Sequence, residues 1–386
     1  MVSSNPARKL LGVFDDRRAG ELCRELIAGA GVVVGGSDPW DMQVHDDRLW
    51  SRVLRDGHLG LGEAYVDGWW DSPSVEECMT RLLRARLDRE LRSNWPLLAY
   101  AVKGRLFNLQ LTNPFEVAER HYDIGNDLYE AMLDRRMAYT CAYWNGADGL
   151  DAAQEAKLHL VCRKLGLKPG MKVLELGCGW CSFAAFAAEH YGVSVVGYNV
   201  SKEQVAWGRE KYGHLPIELR LDDYRRANGS YDAIVSIGLM EHVGPKNYRA
   251  YMELVDRCLA PDGVAFVHTI GSNRTREHTD PWFDRYIFPN AVFPTLGRLC
   301  DAMEEILVPE DVHNIGEHYD PTLMAWWQRF DAAWPSLRAK YGDPFYRMWK
   351  YYLLCSAGTF RSRFLQLYQV VMTRQGTPQP PGARSS

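Results

Sequence analysis

Two kinds of residue in the sequence combine types and spacings that could do chemistry. Gly177 and Gly179 lie in a short turn directly after an apolar run, where glycine lets the backbone bend tightly and approach a ligand. Glu241 follows a second apolar run, and His268 ends a third. Such a glycine turn could hold a nucleotide-bearing cofactor, while a carboxylate and an imidazole could move a proton or hold an anion.

These residues depend on an alternation of strands and helices that begins near Pro169. Each predicted strand is a short apolar run that ends in a turn or leads into a helical pattern. The predicted strands are residues 172–176, 193–198, 217–221, 231–237, 264–268 and 366–373. The alternation predicts right-handed parallel crossovers and an open, doubly wound α/β sheet, in which ligands bind at the carboxyl ends of the strands. We therefore expect Gly177, Glu241 and His268 at one edge of the sheet.

A turn that binds a nicotinamide dinucleotide is the obvious alternative for a lone Gly-x-Gly. The third glycine of that fingerprint would fall at Ser182, where close packing of helix on strand leaves no room for a side chain. The second predicted strand ends in Tyr198 and Asn199, where such enzymes usually present a carboxylate to the ribose. The residues therefore favour a cofactor other than a nicotinamide dinucleotide.

The composition is that of an ordinary globular protein with two domains. The 386 residues exceed the usual size of one domain, and 46% of them are hydrophobic. We find no run of eighteen apolar residues and expect no secretory leader, while nine cysteines at irregular spacings are typical of reduced thiols in the cytoplasm. A net charge of −4 argues against nucleic-acid binding, so an anionic partner requires a local basic patch.

The first 105 residues differ in pattern from the rest and predict a smaller, mixed α/β N-terminal domain. Within it, residues 81–105 have seven basic and two acidic side chains, a local balance of +5, interleaved with leucines. This stretch could lie on an anionic bilayer surface, or it could be a solvated helix face packed on its own domain. We expect a catalytic domain over residues 106–374 and a disordered Pro/Gly/Ser-rich tail over residues 375–386.

The chain resembles the cyclopropane-fatty-acyl-phospholipid synthases, a family of S-adenosylmethionine-dependent methyltransferases, over nearly its full length. The strand and glycine turn at residues 173–180 look like the first motif of such methyltransferases. Six further blocks follow the family's order: HYDIGND at 121–127, YTCAYW at 139–144, VGYNVS at 196–201, EHVGP at 241–245, HTIG at 268–271 and YIFPN at 286–290. The resemblance implies a mostly parallel, seven-stranded methyltransferase sheet. The additional N-terminal domain resembles the phospholipid-acting synthases more than the shorter mycolic-acid synthases.

The resemblance implies that S-adenosylmethionine binds over the glycine turn. The implied contacts are Gly177, Gly179, Asn199, Ser201 and Gln204, with Tyr139 and Thr140 closing over the methionine end and Asp222 and Asp223 meeting the adenine. For the two aspartates, a helix N-cap role is an equal alternative. The chain departs from the family at Asn199, where threonine is usual, and at Cys181, where glycine is usual. A cysteine can be accommodated there if its φ stays negative and its side chain points away from the ligand.

The resemblance also implies a bicarbonate ion in the active site, bound by Cys141, Glu241, His268, Ile270 and Tyr319. Methyl transfer from a sulfonium to a cis double bond leaves a carbocation, and ring closure then needs a positioned weak base. Imidazole, phenol and the backbone N–H of Cys141 can donate to an anion. A carboxylate beside an anion is favourable only if that anion has an O–H to donate, as bicarbonate has.

Two thiols, Cys141 and Cys355, are also candidate catalytic residues as nucleophiles. Neither has a convincing base partner in the sequence, and alkene methylation needs no thiolate. We identify no set of metal ligands. These observations favour an anion base over a cysteine nucleophile.

The sequence therefore predicts a cytoplasmic enzyme, peripherally associated with the inner face of the membrane, that converts unsaturated acyl chains of phospholipids into cyclopropane chains. Its expected partners are the phospholipid and the membrane surface, with no nucleic acid, and a homodimer is left open. The nearest alternative is a fatty-acid methyltransferase that gives a methyl-branched or methylene-bearing chain. More distant alternatives are a small-molecule N-methyltransferase and a lipid-binding module without catalysis.

Overall fold

The protein is described by a computed structural model that covers residues 16–87 and 124–384 and divides into two compact units. Unit 1 comprises Met1–Ile124, Asp280–Pro289 and Ala332–Phe364, and unit 2 comprises Gly125–Thr279, Asn290–Asp331 and Leu365–Ser386. Each unit therefore collects segments that are distant in sequence. The boundary that we predict near residue 105 lies outside the described residues.

The elements are numbered in chain order. The helices are α1 (Asp16–Gly29), α2 (Arg48–Asp56), α3 (His58–Val66), α4 (Val75–Arg84), α5 (Asn126–Met132), α6 (Leu150–Lys164), α7 (Ser182–Tyr191), α8 (Lys202–Tyr212), α9 (Met240–Val243), α10 (Tyr248–Cys258), α11 (Pro281–Tyr286), α12 (Leu296–Met303), α13 (Tyr319–Tyr341) and α14 (Asp343–Arg361). The strands are β1 (Gln43–Val44), β2 (Trp70–Asp71), β3 (Lys172–Leu176), β4 (Ser194–Asn199), β5 (Ile217–Leu221), β6 (Tyr231–Ile237), β7 (Leu259–Ser272), β8 (Val308–Asn314) and β9 (Leu365–Thr373).

Unit 2 contains the predicted seven-stranded, mostly parallel sheet, in the order β5-β4-β3-β6-β7-β9-β8. The first five strands are parallel, and β9 is antiparallel to both of its neighbours. The order reverses at β3, with β4 on one side and β6 on the other, which is where open α/β sheets form a binding crevice. The glycine turn follows β3, so the topology places it at this crevice.

The sheet has a hydrophobic core on each face, which explains why its strands read as continuous apolar runs. Along β3, Val173 packs into one cluster with Phe183 and Phe186 of α7. Its neighbours Leu174 and Leu176 pack into the other cluster, with residues of α10 and α12. Successive side chains of a strand point to opposite faces, and a parallel sheet covered by helices buries both.

Unit 1 consists of helices and the two-stranded antiparallel sheet of β1 and β2, in agreement with the mixed α/β prediction. Its core joins early and late segments of the chain: α4 lies against α14 so closely that a Cβ on Gly358 would come within 2.5 Å of the Glu76 carbonyl oxygen. The Tyr351 ring of α14 contacts the rings of Tyr65 and Trp282, with centroids 5.1 and 4.7 Å away. The early residues of unit 1 therefore depend on late ones for burial.

Two segments singled out by composition are described only in part. Of the basic stretch at residues 81–105, the structure describes residues 81–87, in which Arg81 pairs with Glu77 and Arg84 donates to the Arg361 carbonyl oxygen. The tail, for which we expect disorder, is described to residue 384, and Ala383 is buried in the core of unit 2. Within residues 16–87 and 124–384, no helix is long and apolar enough to cross a bilayer.

Candidate active site

The glycine turn between β3 and α7 is held against the end of β4 by the backbone. The N–H groups of Gly177 and Cys178 both donate to the Tyr198 carbonyl oxygen, each at 3.0 Å. Gly177 and Gly179 have positive φ values of 78° and 52°, a region in which glycine avoids the strain of a Cβ. A Cβ on Gly179 would meet no atom of the described chain within 4 Å, so the turn opens into space that a cofactor could fill.

Three of the predicted cofactor residues form one hydrogen-bonded network with this turn. The Asn199 amide donates to the Gly179 carbonyl oxygen at 3.0 Å and to Oε1 of Gln204 at 2.9 Å. Oδ1 of Asn199 accepts from the N–H of Ser201, whose hydroxyl in turn caps α8 by accepting from the Gln204 N–H. Asn199, which departs from the family's usual threonine, therefore ties the turn to the start of α8.

The structure does not meet the condition of a negative φ at Cys181, and the cysteine is accommodated in another way. Its φ is 65° and its ψ is 24°, a left-handed conformation that costs an L-residue about 1–2 kcal/mol. The cysteine is fully buried, and a Cβ on Gly208 of α8 would lie 2.6 Å from its Sγ, so this glycine makes the room for the thiol. The family's usual glycine suits the left-handed turn, whereas this chain holds a cysteine in it by packing.

Of the two aspartates after β5, Asp223 shows the alternative role. Asp223 caps the short helix that follows by accepting from the Arg225 N–H at 2.9 Å, and it pairs with the Arg225 guanidinium at 2.6 Å. Asp222 accepts from the Asp223 N–H at 2.8 Å. The pairing with Arg225 holds the pKa of Asp223 below its usual value. Contact of either carboxylate with adenine stays a prediction.

Tyr139 and Thr140 lie in a segment that crosses the same edge of the sheet. The Tyr139 ring packs between Tyr129 and Trp326, with both centroid distances at 5.2 Å. Thr140 lies against the loop after β6, since a Cβ on Gly238 would be 3.1 Å from its Cγ2. Leu239 of the same loop borders Gly177. The glycine turn, the Thr140 segment and the loop before Glu241 therefore meet.

Glu241 is buried at the start of α9 with one carboxylate oxygen in use. Its Oε1 accepts from the backbone N–H of Ile270 at 2.6 Å, whereas its Oε2 is buried without a hydrogen-bond partner among the described residues. Burial raises the pKa of Glu241 to about 7, although hydrogen bonds from the Ile270 and Glu241 backbone and from the Thr269 side chain act in the opposite direction. Because its N–H is bound to Glu241, Ile270 has only its carbonyl oxygen to offer an ion, and that oxygen already accepts from Thr269.

His268 lies on β7, paired in register with Ile237 at the end of β6. Its Nδ1 is 3.4 Å from the Gln369 amide nitrogen, while its Nε2 is buried without a partner in the described part of the chain. If the Gln369 amide donates to Nδ1, the ring proton resides on Nε2. Burial holds the pKa of His268 well below its usual value, so the ring is neutral.

The thiol of Cys141 is not activated. Its Sγ donates to the Ala142 carbonyl oxygen at 3.2 Å, and complete burial raises the pKa of the thiol. The next residue is anchored to α13, because the Ala142 N–H donates to the Thr322 hydroxyl at 3.1 Å. Tyr319 lies three residues before Thr322, on the same side of that helix, and is buried.

Cys355 belongs to a different unit from the other candidate catalytic residues. It lies on α14 in unit 1, whereas Cys141, Glu241, His268, Ile270 and Tyr319 all belong to unit 2. Burial raises its pKa well above the usual value, against a hydrogen bond with Tyr351 that lowers it. A thiolate at this position is therefore disfavoured.

Four buried polar residues of the site region are missing from the sequence prediction. Gln369 orients His268, and Thr322 holds Ala142. Gln154 and Lys157 of α6 both contact Thr140. Each acts through another residue, so no motif identifies them. The one available signal is the spacing of Gln154 and Lys157, which lie at i and i+3 on one face of a helix.

The comparisons with known proteins agree with one another. A family model described as mycolic acid cyclopropane synthetase matches residues 109–370. The cyclopropane-fatty-acyl-phospholipid synthase of Escherichia coli K12 is 46% identical, over 92% of this chain and 93% of that protein. Tuberculostearic acid methyltransferase UfaA1 of Mycobacterium tuberculosis is 30% identical, over 94% and 90%. The crystal structure of mycolic acid cyclopropane synthase CmaA1 complexed with SAH and CTAB superposes with a TM-score of 0.61 at 29% identity, over 68% of this chain and 99% of that one.

Proposed function

Because the chain belongs to the mycolic acid cyclopropane synthetase family, we propose that it uses bicarbonate as the base in converting cis double bonds of phospholipid acyl chains into cyclopropanes. The chain is an S-adenosylmethionine-dependent methyltransferase of lipid. The relative from Escherichia coli, with which it shares 46% of residues over nearly the full length of both, acts on phospholipid according to its name. That match includes the N-terminal region, which lies outside residues 109–370, and so supports a phospholipid substrate.

One observation supports the base in particular: a buried acceptor and a buried donor are left over at the same sheet edge. Oε2 of Glu241 and Nε2 of His268 have no partner among the described residues. A buried polar atom without a hydrogen bond costs about 1–3 kcal/mol, so two together indicate a ligand that satisfies both. The ligand must accept from an imidazole and donate to a carboxylate, and bicarbonate does both.

The residues divide the work of holding such an ion. The His268 Nε2–H and the Cys141 backbone N–H would donate to its oxygens, and Glu241 Oε2 would accept its O–H. The Cys141 N–H has no acceptor among the hydrogen bonds of the described backbone. The Tyr319 phenol is a further donor by type. When bound, bicarbonate would supply the weak base that takes the proton from the new methyl group.

The chain's own side chains are poorly suited to replace that base. Glu241 is the nearest candidate by type, yet its Oε1 is held by the Ile270 N–H, and its Oε2 would accept the O–H of the ion. The Cys141 thiol is fully buried, and burial raises its pKa. A carboxylate engaged in this way and an inert thiol would hold an added ion without replacing it as the base.

We extend the proposal to where the enzyme acts. The substrate is a membrane lipid, so the enzyme must reach a bilayer surface, and the +5 balance of residues 81–105 supports contact with anionic headgroups. Arg81 and Arg84 are engaged within unit 1, so the contribution of this stretch rests mainly on residues 88–105, which lie outside the described chain.

The test uses the full chain with labelled S-adenosylmethionine and vesicles of phospholipid with cis-unsaturated acyl chains. Mass spectrometry and NMR of the released fatty acids should show a cyclopropane ring at the former double bond. A methyl-branched or methylene-bearing product would refute ring formation and favour a fatty-acid methyltransferase. The base is tested in buffer stripped of carbon dioxide, where the rate should fall and return on adding bicarbonate. A rate indifferent to bicarbonate would overturn that part alone.

A further inference from the structure

A buried lysine lies beside the site and has no place in the chemistry described so far. Lys157 of α6 is 1% exposed, and its Nζ donates to the Thr140 hydroxyl at 3.1 Å. One turn earlier on the same helix, the buried Gln154 amide donates to the Thr140 carbonyl oxygen at 2.8 Å and to the Ala138 carbonyl oxygen at 3.3 Å. Two polar side chains of one helix therefore hold one short segment.

The surroundings of Lys157 do not explain its burial by ion pairing. The titratable groups that face it are Asp134, Cys141, Glu175 and His268. Asp134 accepts from the backbone N–H groups of Ala138 and Arg136, at 2.7 and 3.0 Å. Burial raises the pKa of Glu175 well above its usual value, and this carboxyl makes no ion pair with Lys157. No carboxylate of the described chain lies within 4.0 Å of the Lys157 ammonium.

Lys164, two turns further along α6, shows the ordinary arrangement. It is equally buried, but its Nζ pairs with the Asp311 carboxylate at 3.0 Å. A buried ammonium without such a pair is expensive, and burial lowers the pKa of Lys157 to about 8. Burying the Lys157 ammonium is therefore costly, and its one hydrogen bond goes to Thr140. The reason for keeping a lysine here should lie in the role of Thr140.

Thr140 is the link between Lys157 and the reaction. Its Cγ2 borders Gly238, in the loop that leads to Glu241, and the following residue is Cys141. A shift of the Thr140 hydroxyl would therefore move two groups together. One is the Thr140 side chain, expected at the methionine end of the cofactor, and the other is the Cys141 N–H, expected at the anion. Small displacements of groups at a reacting centre cost large factors in rate.

We propose that Lys157 is a positioning residue for the transfer reaction, which it supports by fixing Thr140 and, through it, the Cys141 N–H against the loop that carries Glu241. Gln154 fixes the same segment through the backbone. This inference rests on the proposed function, in which Thr140 closes over S-adenosylmethionine and Cys141 contacts the base.

The test is a double-mutant cycle of Lys157→Met with Thr140→Val, with kcat and KM for S-adenosylmethionine and the affinity for S-adenosylhomocysteine by calorimetry. Lys157→Met alone should lower kcat/KM about ten- to a hundredfold, the loss expected for one hydrogen bond to a charged group. In the Thr140→Val background the same substitution should cost less than about threefold, because its partner is already gone. Lys164→Met, the matched control, should leave kcat/KM within about threefold of wild type.

Three results decide the matter. An equal loss from Lys157→Met in both backgrounds, or no loss in either, would overturn the inference. Coupling of Lys157 with Thr140 in the affinity for S-adenosylhomocysteine, together with no lipid product from the wild-type enzyme, would refute the proposed function. The role of Lys157 in transfer would fall with it, and only an effect on cofactor binding would remain. Should Lys157→Met not fold, Lys157→Gln takes its place in the cycle, and the same criteria apply.

Discussion

Replacing Glu241 by glutamine should stabilise the protein at alkaline pH while it removes most of the activity. The buried carboxyl has a pKa of about 7 in the folded chain, against an ordinary value of 4.5. The folded state therefore keeps a proton that the unfolded chain has released between these two pH values. As pH rises through this interval, the free energy of unfolding falls, and above about pH 7 the full cost of burying the charge remains.

The size of the effect follows from the two values. At about 1.4 kcal/mol per pKa unit, the difference between about 7 and 4.5 corresponds to about 3 kcal/mol. Glutamine has nearly the same shape and carries no charge, and its Oε1 can still accept from the Ile270 N–H. Glu241→Gln should exceed the wild type in free energy of unfolding by up to about 3 kcal/mol at pH 8. The advantage should shrink towards zero near pH 4.5.

The assay is urea unfolding of both proteins without cofactor at several pH values from 4.5 to 8, with turnover measured in parallel. The variant should lose about ten- to a hundredfold in rate, because an amide grips the O–H of a bound bicarbonate less strongly than a carboxylate. Added bicarbonate should recover part of that loss. A variant less stable than the wild type at pH 8, or more stable by the same amount at every pH, would refute the electrostatic reasoning. Full activity would remove Glu241 from the base site.

Three further outcomes are expected. Cys141→Ser should keep measurable turnover, since serine preserves the backbone N–H, and a dead variant would make the thiol the group to explain. Gly179→Ala should weaken S-adenosylmethionine binding more than tenfold by calorimetry, whereas Gly166→Ala, which has a similar positive φ and equally open surroundings, should cost comparable stability and leave the affinity unchanged. The enzyme should sediment with anionic vesicles and be released by salt because of residues 81–105, and equal binding to neutral vesicles would contradict this.

The sheet could be predicted closely because each strand is a short apolar run that is recognisable from its own sequence. Residues 172–176, 217–221 and 231–237 are strands with the bounds that their apolar runs indicate. The fifth predicted strand, residues 264–268, is longer in the structure, since β7 runs from Leu259 to Ser272. Its extension crosses a Pro-Asp-Gly sequence that is typical of a turn. The pairing with β6 shifts register there, between Leu259 and Val264, so the turn residues are accommodated as an irregularity in the strand.

The parts of the site that could not be predicted depend on contacts between distant residues. Lys157 and Gln154 read as the solvated face of a helix, yet they are buried because a segment with backbone carbonyls and a hydroxyl lies over them. The left-handed backbone of Cys181 is stabilised by the space over Gly208, which is separated from it by helix α7, strand β4 and the first half of α8. Hydrogen-bond partners and packing space of this kind leave no pattern in the nearby sequence.

The discontinuity of unit 1 has a consequence for biosynthesis. Helix α4 packs against α14, whose last residue, Arg361, emerges from the ribosome roughly 280 residues after Arg84. At 5–20 residues per second, that interval is roughly 14–55 s. During this time α4, whose buried residues include Val75 and Cys78, lacks its contacts with α14. The nascent chain should therefore need chaperone protection, and a fragment that stops before α14 should be recovered as aggregate.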